Sequence, residues 1–368
     1  MGTTFIHVET FNEKEACEVL APAIEVLKSN GTVVIPTETV YGLAANALSE
    51  VAIAKIYAAK GRPSDNPLIV HISNETMLKL LVSDITETAI KLMDAFWPGP
   101  LTLIFKKKDI VPNCTTGGLD TVAVRLPSHP VARMLIECSN MPIAAPSANL
   151  SGKPSPTTAA HVKRDLMGRV DCMILGDSSE VGLESTVVDV TSDIPMILRP
   201  GAITREMILE VVGSCQTDPA IGQVDTMLAP KSPGMKYKHY APEAEVTVLM
   251  GDTMAIIKIM VSLIETQKKT EEKIGLLLFE EDYEVLMRYL ASLCGDAFEE
   301  ASLKNVFFCK QGSKRDLSIF AKQLFNDLRA CDDMNCQKVY VHGVLEEGIG
   351  SAIMNRLKKA AENRMLYV

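Results

Sequence analysis

Two hydrophobic patterns run through this chain, one in each half. In the first half, short apolar and β-branched runs alternate with amphipathic stretches. The runs are "TVVIP" at 32, "PLIVHI" at 67, "LTLIFK" at 101, "TVAVRLP" at 121, "MPIAAP" at 141, "CMILG" at 172 and "STVVDV" at 185. Runs of that length and composition predict buried strands. Apolar residues three and four apart predict helices from Glu15 to Lys28, Val51 to Lys60, Thr86 to Phe96, Pro130 to Cys138 and Arg205 to Val212. Several strands end in polar, glycine-rich turns, which predicts one mixed sheet with functional groups gathered around it.

The pattern changes near 215. "CQTDPAIGQVDTMLAPKSPGMKYKHYAPEA" has little apolar periodicity and four prolines, and reads as a linker. Beyond Glu245 the order is regular: strand "EVTVLM", helix to about Thr266, strand "IGLLLF", helix from Tyr283, strand "NVFFCK", helix from Asp316, strand "KVYVHG", helix from Ile349. Strands alternating with helices of this length predict a small, parallel, doubly wound domain. The chain therefore divides into residues 1–214, a linker over 215–243, and residues 244–368.

Composition narrows the function. Of 368 residues, 47% are hydrophobic and 23% charged, enough apolar surface for two globular cores. A net charge of -9 argues against a broad nucleic-acid footprint, which would make a domain basic, though it leaves room for a local basic groove. Nine cysteines, scattered without a C-x-x-C pair, read as reduced thiols rather than a disulfide framework or a zinc knuckle. The start of the chain lacks the basic and apolar regions of a secretory leader, and no apolar run reaches membrane-spanning length. A cytoplasmic protein is expected.

Three segments carry polar groups where a core strand ends. In "PTETVYGLAANA" (36–47), Pro36 stops a strand, and Thr37, Glu38 and Thr39 follow in a turn. This is either a strand-to-helix turn capped by threonine or the wall of a pocket for a small polar ligand. In "AAKGRPSDNPLIVHI" (58–72), Lys60 and Arg62 could simply complement a helix dipole ahead of Gly61 and Pro63. With Ser64, Asp65 and Asn66 beside them, they could instead hold a phosphate chain. His71, alone in an apolar strand, reads first as a core histidine. In "AAPSANLSGKPSPT" (144–157), Ser147, Asn149, Ser151 and Ser155 either satisfy their own turn or offer donors to phosphates. Arg125 in "TVAVRLP" is a charge among apolar neighbours and needs a partner. Thr121, Ser185, Thr186 and Arg199 repeat the theme of polar groups at strand ends.

An ordinary P-loop, H-E-x-x-H, G-x-S-x-G and zinc-like Cys/His spacing are all absent. "GIGSAI" at 348 has Ile353 where the third glycine of a dinucleotide fingerprint would fall, and reads as a helix start near a strand.

Taken together, "PTETVYGLAANA", "KGRPSDNPLIVHI", "PSANLSGKPSPT" and "SPGMKYKHYAP" closely resemble the threonylcarbamoyl-AMP synthase family in its two-domain form. The resemblance implies an α/β fold: a YrdC-like mixed twisted sheet with helices, plus a smaller Rossmann-like parallel α/β domain. It implies a nucleotidyltransferase that joins L-threonine, bicarbonate or CO2 and ATP into L-threonylcarbamoyladenylate and pyrophosphate. That product would pass to the machinery that modifies tRNAs reading codons beginning with A. The matching positions place Lys60, Arg62, Ser147 and Asn149 at the reaction centre. They place threonine contacts on Thr39, His71, Arg125, Ala145 and Ser185. Nucleotide contacts fall on Arg62, Asn66, Thr121, Ser147, Ser155, Arg199 and the linker tyrosines Tyr237 and Tyr240, which are expected to form a lid. Mg²⁺ is expected with ATP, and no metal ligand of the chain is named. Two rival readings are a double-stranded-RNA or ribosome-maturation binding protein and a hydrogenase-maturation carbamoyltransferase. The acidic balance weighs against the first. The lack of zinc-binding Cys pairs and of an acylphosphatase segment weighs against the second.

Overall fold

The computed structural model of the chain describes residues 2–8, 12–221, 239–267, 270–294 and 303–368. It divides into two compact units, one built from 1–151 with 155–237 and the other from 152–154 with 238–368.

Among the described residues the first unit holds eleven strands. They are β1 (Thr4–His7), β2 (Val33–Ile35), β3 (Gly42–Asn46), β4 (Ile69–His71), β5 (Leu101–Lys106), β6 (Thr121–Arg125), β7 (Ile143–Ala144), β8 (Cys172–Leu175), β9 (Thr186–Asp189), β10 (Met196–Arg199) and β11 (Gln216–Thr217). They pair in the order β1-β8-β2-β3-β7-β4-β6-β5-β9-β10-β11. Parallel pairs such as β4/β6 and β5/β9 mix with antiparallel ones such as β2/β3 and β5/β6, so the expected mixed sheet is what forms. All seven runs read as strands from the sequence belong to it.

β3 was hidden because Gly42, Leu43, Ala44, Ala45 and Asn46 lack the bulky β-branched look of a strand. The small side chains have a packing reason. β3 is sandwiched between β2 and β7, and a Cβ on Gly42 would lie 3.3 Å from that of Ala145. The polar turn at 37–39 therefore connects two paired strands and is not a helix cap. β11, inside the segment read as linker, is two exposed residues paired to β10, too short to leave a pattern.

The helix Glu50–Lys60 positions the first chemical group. Ser49 caps it by accepting the Ala52 N–H at 3.3 Å, a cap worth about 1 kcal/mol. Ile53 and Ile56 are fully buried, and cutting either to Ala would cost about 2–5 kcal/mol. Gly61 ends the helix with φ 61°, a left-handed turn that glycine adopts without the usual Cβ penalty. The periodic segment at 15–28 is two pieces, Ala16–Val19 and Ala21–Lys28. Pro22 lies in the first turn of the second, where a missing N–H is tolerated.

The second unit is a five-stranded, wholly parallel sheet of β12 (Glu245–Met250), β13 (Ile274–Leu278), β14 (Val306–Lys310), β15 (Lys338–His342) and β16 (Met365–Tyr367), ordered β14-β13-β15-β12-β16. Helices Thr253–Gln267, Glu280–Cys294, Ser318–Asp333 and Ile349–Ala360 make the crossovers. Gly348 stands just before the last of them, after β15, so "GIGSAI" is a helix start near a strand; its φ of 52° is one that glycine adopts readily. β16, with only Met365 half-buried, was not apparent from the sequence. No helix among the described residues is long and apolar enough to cross a membrane.

One expectation is corrected. Cys17 and Cys138 form a disulfide across 121 residues, with Cα atoms 5.5 Å apart. Spacing along the chain could not show it, because the pairing arises only where the helix Ala16–Val19 packs on Pro130–Ser139. Thiol titration of the unfolded protein should find two fewer thiols before reduction than after. Equal counts would remove the bridge.

Candidate active site

Strand register places three polar groups in one row. β4, β6 and β5 are neighbours, His71 pairs with Arg125, and Arg125 pairs with Thr102. Paired residues on adjacent strands point to the same face, so these side chains stand side by side. All three are buried. The 37–39 turn meets this row because Tyr41 anchors it: the buried phenol shares its proton between the carbonyls of Gly176 and Asp177, and the Tyr41 backbone bonds to Pro156 and Ala148.

Arg125 organises what lies between. Its Nη1 donates to Thr39 Oγ1 at 2.8 Å and its Nε to the Gly99 carbonyl at 3.1 Å. Its Nη2 lies 2.6 Å from Glu38 Oε1, a close charge contact rather than an aligned hydrogen bond. Glu38 Oε1 also accepts the Ser128 N–H at 2.9 Å. Burial alone would raise the Glu38 carboxyl, but the Arg125 charge and the Ser128 N–H outweigh it and hold it at about 2. Burial, then repulsion from Arg125, pushes His71 down to about 3, so its imidazole is neutral. Its Nδ1 lies 3.2 Å from the Ile69 carbonyl.

Ser185 joins the row from the side. Thr102 and Ser185 hydroxyls lie 2.8 Å apart, and Arg199 donates to the Ser185 carbonyl from Nε and Nη2, at 3.1 and 2.9 Å. The two loops meet so closely that a Cβ on Gly201 would sit 2.4 Å from the Thr186 nitrogen. Ala145 follows β7 and donates its N–H to Ile69, beside His71. Thr39, His71, Arg125, Ala145 and Ser185 are thus brought together.

The second cluster is built on Lys60. Its ammonium does not stay on its own helix end. It reaches the carbonyls of Ser147 and Asn149, the latter at 2.6 Å, while Ser147 Oγ donates to Asn149 Oδ1 at 2.6 Å. The Ser151 N–H returns to the Lys60 carbonyl. Arg62 is also buried and donates to the Pro67 carbonyl at 3.1 Å. Asn66 is buried with its Oδ1 unpartnered among the described residues. Ser155 donates to the buried Glu184 at 2.5 Å. Both cations are therefore buried, Lys60 turned toward the 147–149 turn and Arg62 toward the Asn66 and Pro67 carbonyls.

Other positions are less gathered. Thr121 opens β6, four residues before Arg125 and so about 13 Å along the strand. Tyr240 is buried in the second unit, its ring 5.1 Å from that of Phe325. Tyr237, and with it most of the expected lid, lies outside the described residues. Sequence reasoning assigned no role to Glu38, Thr102 or Glu184. Thr102 had a signal: a polar residue within an apolar run, at a position alternation sends into the core. Glu38 had one too, as the obvious partner for the lone strand arginine. Among the described residues, no group of three or more His, Cys, Asp and Glu could hold a metal ion.

The charge states give a pH dependence. Both shifts are downward, so unfolding takes up protons, at His71 below its ordinary 6.5 and at Glu38 below 4.5. Stability should be fully present above pH 6.5 and fall as pH drops from there toward 2. The His71 imidazole resonances should stay at their neutral positions from pH 8 to pH 4. A midpoint near 6.5 would mean that the ring is neither buried nor beside Arg125.

Two family models cover the chain. The one described as "Telomere recombination" matches residues 25–201, and the one described as "Threonylcarbamoyl-AMP synthase, C-terminal domain" matches 203–362. The chain is 45% identical over 347 residues to the threonylcarbamoyl-AMP synthase of Pyrococcus abyssi, spanning 93% of this chain and 94% of that one. It is 43% identical to that of Bacillus subtilis, over 94% of each. The crystal structure of the Pyrococcus abyssi protein complexed with L-threonine superposes with a TM-score of 0.87 and 41% identity, covering 100% of both chains. Similarity of that depth over both units leaves one assignment: the chain belongs to the threonylcarbamoyl-AMP synthase family.

Proposed function

We propose that this protein makes L-threonylcarbamoyladenylate from L-threonine, CO2 or bicarbonate, and ATP. The observation that carries the reading is the pairing, in one unit, of an amino-acid-sized row around Arg125 with a cationic cluster around Lys60. Family relatives named for this product, and one solved with L-threonine, support it. The product would then supply the threonylcarbamoyl group to the machinery that modifies tRNA.

The chemistry needs no covalent enzyme intermediate. The threonine amine attacks CO2, forming a C–N bond and losing a proton, to give a carbamate. A carbamate oxygen then attacks the α-phosphorus of ATP. As that P–O bond forms, the bond to the β-phosphate oxygen breaks, and pyrophosphate leaves with the electron pair. The enzyme's part is positioning and charge neutralisation. Arg125 would hold the threonine carboxylate, with Thr39, Ser185 and neutral His71 bounding the hydroxyl and methyl. Lys60, Arg62 and Arg199 would face the phosphates, with Ser147, Asn149, Asn66, Thr121 and Ser155 along the nucleotide. Mg²⁺ would enter with the nucleotide as part of the substrate, and no step is routed through it.

Pyrophosphate release should require threonine and bicarbonate together, and mass spectrometry should find the adenylate. Lys60→Ala and Arg62→Ala should each lower that release by at least about 100-fold, with the circular dichroism spectrum unchanged. Full turnover in both variants would refute the site. Tight binding of tRNA without any threonine-dependent turnover would favour the RNA-binding reading instead.

A further inference from the structure

Glu38 is the charged neighbour of Arg125 that the proposed reaction leaves without a task. Its placement is costly to arrange. The carboxylate is buried, 2.6 Å from the guanidinium and held by the Ser128 N–H, while its backbone carbonyl accepts the Val181 N–H at 2.8 Å. Oε2 is buried and accepts no hydrogen bond among the described residues. A carboxylate used only to satisfy an arginine would normally use both oxygens.

Arg125 is matched by a carboxylate, and its strand neighbour His71 is neutral. A carboxylate beside that guanidinium favours a ligand that carries an ammonium as well as a carboxylate. A ligand that is only anionic gains from Arg125 but is repelled by Glu38.

We propose that Glu38 is a specificity-determining residue of the amino-acid pocket: by balancing Arg125 it makes the pocket select a zwitterionic amino acid over the matching hydroxy acid. The inference rests on the reading of this row as the threonine site. Held near 2, Glu38 stays charged at every working pH and is too weak a base to deprotonate an ammonium. Its effect is therefore read first in binding.

Calorimetric binding of L-threonine and of (R)-3-hydroxybutyrate, which lacks only the amino group, tests it. Wild-type protein should prefer threonine by at least about 100-fold, the size expected for one extra close charge contact in a buried site. Glu38→Gln keeps the shape and an acceptor for Ser128, and should shrink that preference at least about tenfold while raising the KM for threonine far more than it lowers kcat. Glu38→Asp, which keeps the charge, should restore the preference. A Glu38→Gln protein that loses both ligands in equal proportion has a structural defect only, and overturns the proposal. So does an unchanged preference. If Glu38→Gln does not fold, a wild-type preference below about tenfold overturns it, whereas a 100-fold preference kept by Glu38→Asp upholds it. Failure of wild-type protein to bind threonine at all would instead defeat the reading of the site.

Discussion

A guanidinium buried in the middle of a sheet is the constraint on which the rest of this site depends. Arg125 sits on β6 with strands on both sides, out of reach of bulk water, and an unpaired charge there would be untenable. The chain answers with Glu38 and Thr39 from one turn and the Gly99 carbonyl from another loop. Removing one partner of such a buried pair costs about 3–5 kcal/mol, whereas exposed pairs such as Lys28–Glu25 contribute about 0–1 kcal/mol. The loops around the sheet are therefore held in register by the Arg125 charge.

That arrangement explains why the segments near the site are built of small residues and tight turns. β3 must pass between β2 and β7 with a glycine and alanines so that the 37–39 turn can approach β6. Gly201 lets the Arg199 loop close on Ser185, and Gly61 turns the chain so that Arg62 follows Lys60 into the interior. Packing and chemistry share these positions. A change that relaxed the packing would also separate the groups.

The two clusters hold their cations with different partners. Lys60 reaches backbone carbonyls of the 147–149 turn, and Arg125 has a carboxylate beside it. In the proposed reaction the first cluster would face the nucleotide's phosphates and the second the amino acid.

The sequence by itself determined the strand runs, the helix before Gly61, the parallel second domain and the motifs that reveal the family. These are local facts, written in periodicity, caps and short patterns that need no partner to be read. Only the tertiary structure decided that Glu38 pairs with Arg125, that Lys60 turns from its own helix end to the 147–149 turn, that Thr102 faces Ser185 and that Cys17 meets Cys138. Each joins residues about 80 to 120 positions apart. A strand residue's face can be guessed from alternation, but which loop will cover it depends on the strand order β7-β4-β6-β5-β9, and strand order is a property of the whole packed sheet.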